Sequence, residues 1–188
     1  VPSLPDGADE VIEVAARQLA QGAVLAWFEG CDEAGPRALG HRSILASPCL
    51  PWMRDHLNHV VKRREAFRPF GCSILREEVA RWFEFEGDSP YMLQIARARA
   101  ELAGQIPAVL HVDQTSRLHT VCDASHPRLA RLLRALRDLG HPPLVLNTSL
   151  NGPGEPIAHT PEEARAMVRA MGIEGIVVQG MWEGQGEL

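Results

Sequence analysis

Two stretches of this chain place cations at short, fixed spacings among glycines and prolines. The first is Gly35-Pro-Arg37-Ala-Leu-Gly-His41-Arg42-Ser43-Ile-Leu45, and the second is Lys62-Arg-Arg64-Glu-Ala-Phe-Arg68-Pro-Phe70. An arginine offers a planar fork of N–H donors that suits phosphate or carboxylate. Glycines such as Gly35 and Gly40 allow tight turns and a close approach of backbone to ligand. Arg68 stands between a helical stretch and the rigid Pro69, followed by the apolar Phe70, so it is held rather than floppy. The chain as a whole is acidic, with a formal net charge of -5. The cations therefore describe a local pocket for a small, multiply charged anion. Coating of nucleic acid by bulk charge is disfavoured.

A third cluster, Asn147-Thr148-Ser149-Leu-Asn151, follows the strand-like Pro143–Leu146. Small hydroxyl and amide groups at a strand end can take a phosphate or a metal-bound triphosphate. Ordinary turn chemistry uses the same residue types. A fourth, His111-Val-Asp113-Gln-Thr115-Ser-Arg117-Leu-His119, reads as a hairpin connection whose far strand sends Arg117 and His119 to one face. His56 and His59 share a helix face but have no evident third ligand, so no metal site held by the protein is expected. There is no phosphate-binding P-loop, no G-x-G-x-x-G and no nucleophile elbow.

The elements that must position these residues alternate in type over residues 1–188, which read as a single domain. Apolar periodicity predicts helices over 8–21, from Pro51 to about 65, near 76–82, over 127–139 and from the Thr160 cap to about 171. Short apolar runs predict strands over 23–28, 70–75, 107–112, 116–121, 143–146 and 175–179. Residues 30–41 read as loop, and 84–104 carry little pattern beyond the turn Gly87-Asp-Ser-Pro90. The expected class is α/β, a three-layer twisted mixed sheet flanked by helices. Cys31, Cys49, Cys72 and Cys122 are scattered, as in reduced thiols of a cytoplasmic protein. No apolar run is long enough to span a membrane, and no signal peptide is visible. The opening Val1 reads as a cut from a longer polypeptide.

Taken in order, the motifs resemble the carboxy-terminal domain of O-carbamoyltransferases, enzymes that carbamoylate antibiotics and nodulation factors. The resemblance rests on Trp27-Phe-Glu-Gly30, Glu33, Gly35–Leu45, Met53-Arg-Asp55, Lys62–Phe70, Ser89-Pro-Tyr-Met92, His111-Val-Asp113, Thr115, Arg117, Leu146–Ser149, Asn151 and Gly154-Glu-Pro-Ile157. That domain is similar to YrdC-type adenylating domains, whose Lys-x-Arg and Ser-x-Asn patterns correspond to Lys62-x-Arg64 and Ser149-x-Asn151. The resemblance implies binding of ATP, with Mg²⁺, and of carbamoyl phosphate, and formation of carbamoyl-adenylate and pyrophosphate. It implies that Arg37, Lys62, Arg68 and Arg117 line the anion site and act in catalysis. Ser149, Asn151, Arg64, Thr148, Arg42 and Thr115 would contact the nucleotide or its magnesium. An amino-terminal domain of actin-like fold, absent from this sequence, would then pass the carbamoyl group to a hydroxyl; a homodimer is compatible with the pattern.

Three positions depart from the family pattern. Cys31 stands where arginine is usual, Gly71-Cys72 replaces Ala-Pro, and His119 stands where glutamine is usual. Two other readings compete: an RNA-binding module that uses the 62–68 cations, and a non-catalytic domain that scaffolds its partner. The acidic net charge and the few aromatic residues weigh against RNA.

Overall fold

The computed structural model describes residues 8–186. Eight strands form one sheet: β1 (Leu25–Phe28), β2 (Arg42–Ala46), β3 (Gly71–Leu75), β4 (Gln94–Arg97), β5 (Thr115–Val121), β6 (Leu144–Ser149), β7 (Gly175–Val178) and β8 (Met181–Gly184). Their order is β4-β5-β3-β6-β2-β1-β7-β8. The sheet is mixed: β3 pairs parallel with β5 and antiparallel with β6, and β1 pairs parallel with β7 and antiparallel with β2.

Alternation along the central strands sends side chains to two separate cores. Leu25, Trp27, Leu45, Leu75, Val121, Val145 and Val177 pack on one face, under α1 (Ala8–Ala20) and α5 (Pro127–Asp138). Ala26, Phe28, Ile44, Cys72, Ile74, Leu144, Leu146 and Ile176 pack on the other. Over that face lie α2 (Met53–His56), α3 (Val79–Trp82) and α6 (Pro161–Met171), each contributing buried residues to the same core; α4 (Ala100–Ala103) is a short turn beside them. The result is the three-layer arrangement that the alternating pattern predicts. The α6 start is a complete capping box, with Thr160 and Glu163 exchanging bonds between side chain and backbone.

Some elements differ from the sequence expectation. Residues 107–112 do not form a strand: Pro107 opens a single 3-10 turn, Pro107–Val109, so there is no hairpin with β5. The antiparallel neighbour of β5 is β4 instead. Strands β2, β4 and β8 have no counterpart in the sequence reading. All three are four or five residues long, too short for a period to stand out. β6 extends to Ser149, which puts Asn147, Thr148 and Ser149 inside the strand's end rather than in the loop beyond it. The helix after Pro51 is four α residues, Met53–His56, followed by a π-helical turn, Leu57–Val61.

Gly71 opens β3 where three strands meet. A Cβ there would sit 2.8 Å from the Met92 sulfur and 2.9 Å from the Arg117 carbonyl oxygen. The backbone atom cannot yield without parting β3 from β5. Gly71→Ala is expected to cost about 1–3 kcal/mol in urea unfolding, as other overpacked sites do. Gly104→Ala, where a Cβ meets nothing within 4 Å, should stay within about 0.5 kcal/mol of wild type.

Candidate functional site

The ends of β6, β3 and β5 bring three distant chain segments side by side. Gly71 pairs with Asn147 across one ladder and with Arg117 across the other. Asn147, Ser149 and Arg117 follow the alternation of Val145 and Val121, so they point to the α1/α5 face, past the area those helices cover. Loop 36–41 and the segment after the π-turn close the sides.

Lys62 leaves the end of the π-turn and is 6% exposed. Its Nζ donates to the Ser149 carbonyl oxygen at 2.8 Å, the Asn151 carbonyl oxygen at 2.8 Å and Asn151 Oδ1 at 2.6 Å. Ser149 Oγ donates to the same Oδ1 at 2.7 Å. Burial, and then the charge of Arg64, push the Lys62 ammonium down to about 7. The three oxygens are hydrogen-bond partners for its charged form.

Arg64 is held from two sides. Its Nε donates to Asn58 Oδ1 at 2.7 Å, and its guanidinium lies 4.6 Å from the Phe70 ring centre. Asn58 is fully buried and its Nδ2 donates to the carbonyls of Ala66 and Arg68 at 3.2 and 3.0 Å, so one amide shapes the whole 62–68 loop. The loop carries backbone strain: Arg63 has φ 44, a left-handed conformation that non-glycine residues seldom adopt.

Two adjoining cavities result. The larger, about 440 Å³, is lined by Lys62, Arg63, Arg64, Glu65, Arg68, Ser149, Asn151 and the turn 152–154. The smaller, about 170 Å³, is lined by Arg37, Arg64, Arg117, Phe70, Met92, Asn147, Thr148 and Ser149 among others. Arg64 and Ser149 belong to both. Arg68 is ion-paired with Glu65 at 2.9 Å. Lys62, Arg37, Arg64 and Arg117 have no carboxylate within ion-pair distance among the described residues. Crowding shows in the guanidinium of Arg117, which is shifted down first by burial and then by Arg37. Arg37 Nε, Arg117 Nε and Asn147 Oδ1 are buried without hydrogen-bond partners among the described residues. The two Nε–H groups are donors and the amide oxygen is an acceptor, and donors on cations of this kind suit phosphate or carboxylate oxygens.

Eight of the ten residues singled out in the sequence meet here: Arg37, Lys62, Arg64, Arg68, Arg117, Thr148, Ser149 and Asn151. Arg42 does not. It is buried with its guanidinium 3.6 Å from the Phe28 ring centre, and it donates to the Glu29 and His41 carbonyls and to Asp32. Thr115 lines neither cavity, and its hydroxyl donates to Asp113 at 2.7 Å. Cys31 is exposed and also lies outside both linings, while His119 is buried with Nδ1 2.8 Å from Ser73 Oγ. Of three supporting residues, Asn58 escaped the sequence reading, while Asn147 and Glu33 stood in its motifs without a place among the ten. Asn58 and Asn147 are amides at buried positions, a usable signal. Glu33 Oε1 accepts from the backbone N–H groups of Leu39, His41 and Arg42 at 2.8–3.0 Å and so folds the loop that presents Arg37.

The fold and this site define a three-layer α/β domain of the YrdC-like kind, with a cation-lined cleft at one end of its sheet. The chain belongs to the carbamoyltransferase C-terminal family: residues 16–184 match the family described as Carbamoyltransferase C-terminus. It is 38% identical to the nodulation protein NolO of Bradyrhizobium diazoefficiens, over 90% of this chain and 32% of that protein. It is also 38% identical to the 3'-hydroxymethylcephem-O-carbamoyltransferase of Amycolatopsis lactamdurans, over 87% of this chain and 31% of that enzyme. The chain thus spans about a third of the length of these relatives. The crystal structure of full-length HypF in its phosphate- and nucleotide-bound form superposes with a TM-score of 0.63 at 18% identity, covering 89% of this chain and 24% of HypF. That likeness concerns the fold.

Lys62 gives a test of the cleft's electrostatics. Its folded pKa, about 7, lies below the ordinary lysine value of 10.5, so between those pH values the unfolded chain binds more protons than the folded one. The cost of burying the charge is fully present below about pH 7 and is relieved as pH rises toward 10.5. The stability of wild type relative to Lys62→Met, from urea melts, should therefore rise between pH 7 and 9.5, by up to about 1.4 kcal/mol per pH unit. A difference that stays flat would show that Lys62 keeps an ordinary pKa.

Proposed function

We propose that this domain activates a carbamoyl group by adenylation, taking ATP and carbamoyl phosphate as substrates and releasing pyrophosphate. The observation that carries the reading is the set of four cations with no carboxylate partner among the described residues, Lys62, Arg37, Arg64 and Arg117, spread over two adjoining cavities beside Thr148 and Ser149. Family membership and the O-carbamoyltransferase among the relatives support it.

The chemistry balances without a protein nucleophile. Water cleaves carbamoyl phosphate to carbamate and phosphate. A carbamate oxygen then attacks the α-phosphorus of ATP, the bond to the β-phosphate oxygen breaks, and pyrophosphate leaves with the bonding pair. Negative charge grows on the non-bridging and departing oxygens. Fixed cations in a partly dry cleft stabilise that charge more than they stabilise bound substrate, which lowers the barrier. Lys62, anchored on three oxygens, serves as a charge of fixed position. Arg37 and Arg117 have unsatisfied Nε–H groups to turn toward phosphate or carbamate oxygens. The hydroxyls of Thr148 and Ser149 are hard oxygen donors and would hold a magnesium ion bound with the triphosphate, whose charge would offset that of the phosphates.

Transfer of the activated group to a hydroxyl is assigned to a domain outside this sequence, in keeping with the two-thirds of the relatives' length that the chain does not span. In this reading the carbamoyl-adenylate is an intermediate passed on, and the acceptor is chosen elsewhere.

The test is pyrophosphate release by the purified chain with ATP and Mg²⁺, with and without carbamoyl phosphate. Release should depend on carbamoyl phosphate and fall at least about 100-fold in Lys62→Ala and in Arg117→Ala. Thr115→Ala, which changes neither cavity wall, should keep most of the turnover. Unchanged release in both cation variants would refute the assignment.

A further inference from the structure

The smaller cation cavity holds an acceptor among its donors. Asn147 lines it beside Arg37, Arg64 and Arg117, and its Oδ1 is buried without a hydrogen-bond partner among the described residues. The direction of that oxygen is set from behind. Asn147 Nδ2 donates to the Ala38 carbonyl at 3.2 Å and to Ser73 Oγ at 2.8 Å, which occupies both of its N–H groups. Turned over, the amide would set its oxygen against the Ala38 carbonyl oxygen and its N–H groups among guanidinium groups. Both contacts are repulsive.

The support continues one strand further. Ser73 and His119 face each other across the β3–β5 ladder, both fully buried, and neither lines a cation cavity. Ser73 Oγ lies 2.8 Å from His119 Nδ1. Burial, and then the neighbouring His126 and His41, push His119 down to about 3, so its ring is neutral at neutral pH. With Asn147 donating to Ser73 Oγ, the serine hydroxyl has its one hydrogen left for His119 Nδ1. The ring then carries its own proton on Nε2. Three side chains on neighbouring strands thus form one directed set: Asn147 donates to Ser73, and Ser73 donates to His119.

We propose that His119 is a positioning residue for the cleft: through Ser73 it holds Asn147 with its oxygen toward the cation cavity, and so makes the cavity select an oxyanion that also carries an N–H. Arg37 and Arg117 take the oxygens of such a ligand, and Asn147 Oδ1 accepts its N–H. A carbamoyl group has this chemistry; that identification rests on the reading above. An isostere with a methyl group in place of the amine leaves Oδ1 buried and unmet, which costs affinity.

The experiment uses the whole chain. Two probes, phosphonoacetamide and acetonylphosphonate, differ only in an amine against a methyl group. Their affinities are measured by calorimetry, and the His119 tautomer is read from ring-nitrogen NMR. The wild-type ring should be protonated on Nε2. Phosphonoacetamide should bind at least about tenfold more tightly than acetonylphosphonate. His119→Leu and Ser73→Ala should each bring that ratio close to one, the loss falling on phosphonoacetamide. His119→Gln, whose amide oxygen can accept from Ser73, should keep the ratio. A wild-type ring protonated on Nδ1 overturns the proposal whatever the variants do. So does a ratio unaltered in His119→Leu and Ser73→Ala, a wild-type ratio near one, or no binding of either probe. The adenylation reading fails separately. If the ratio behaves as expected while carbamoyl phosphate drives no pyrophosphate release, that reading falls and the positioning role stands.

Discussion

The cleft is organised around a buried ammonium and the three oxygens that hold it. Lys62 reaches Ser149 and Asn151, residues almost ninety positions away in the chain, and ties the end of the π-turn to the end of β6. Desolvating a charge costs several kcal/mol unless hydrogen bonds compensate, so removal of either side of this contact leaves the other unsatisfied. The contact fixes where the 62–68 loop starts, and Asn58 fixes where it goes. Within that loop Arg64 is held by Asn58 and the Phe70 ring, and Arg68 by Glu65.

Topology does the rest. A mixed sheet with β3 between β5 and β6 sets Gly71, Arg117 and Asn147 in neighbouring rows, so three segments far apart in sequence supply one surface. The two cores on either side are complete enough to support a sheet end that is itself poorly satisfied. Cations and buried donors without partners among the described residues lie at that end, and Glu33 holds the adjacent loop by bonding backbone rather than by packing. Stability and function are thus divided along the strands: apolar rows in the middle, charge at the tips.

Much of this was legible in the chain itself. The layered α/β class followed from alternating periods, and α1, α5 and α6 were marked by apolar stripes and by the Thr160 capping box. The cation motifs and Ser149-x-Asn151 pointed to one site. What escaped has physical reasons. Arg42 and Arg37 occupy the same motif and look alike in sequence, but the parity of β2 turns Arg42 inward onto Phe28, and a strand of five residues beside a loop gives no period from which to read parity. Thr115 precedes Arg117 by two residues and shares its face, yet Asp113 captures its hydroxyl in a local turn. Asn58 and Glu33 act on backbone atoms, and such roles leave little trace in residue type.

The π-turn at Leu57–Val61 has a bearing on how such a site arises. Its defining bond, from the Lys62 N–H to the Leu57 carbonyl at 2.8 Å, spans five residues instead of four. A π-turn is what an α-helix becomes when one residue is inserted and the flanking turns stay in place. Each residue advances an α-helix by about 100°, so the extra one decides whether Lys62 aims at β6 or away from it. Seen this way, the ammonium's direction is a matter of chain length. A one-residue deletion in 57–61 would leave every side chain of the cleft in the sequence and turn its anchoring charge to the wrong side.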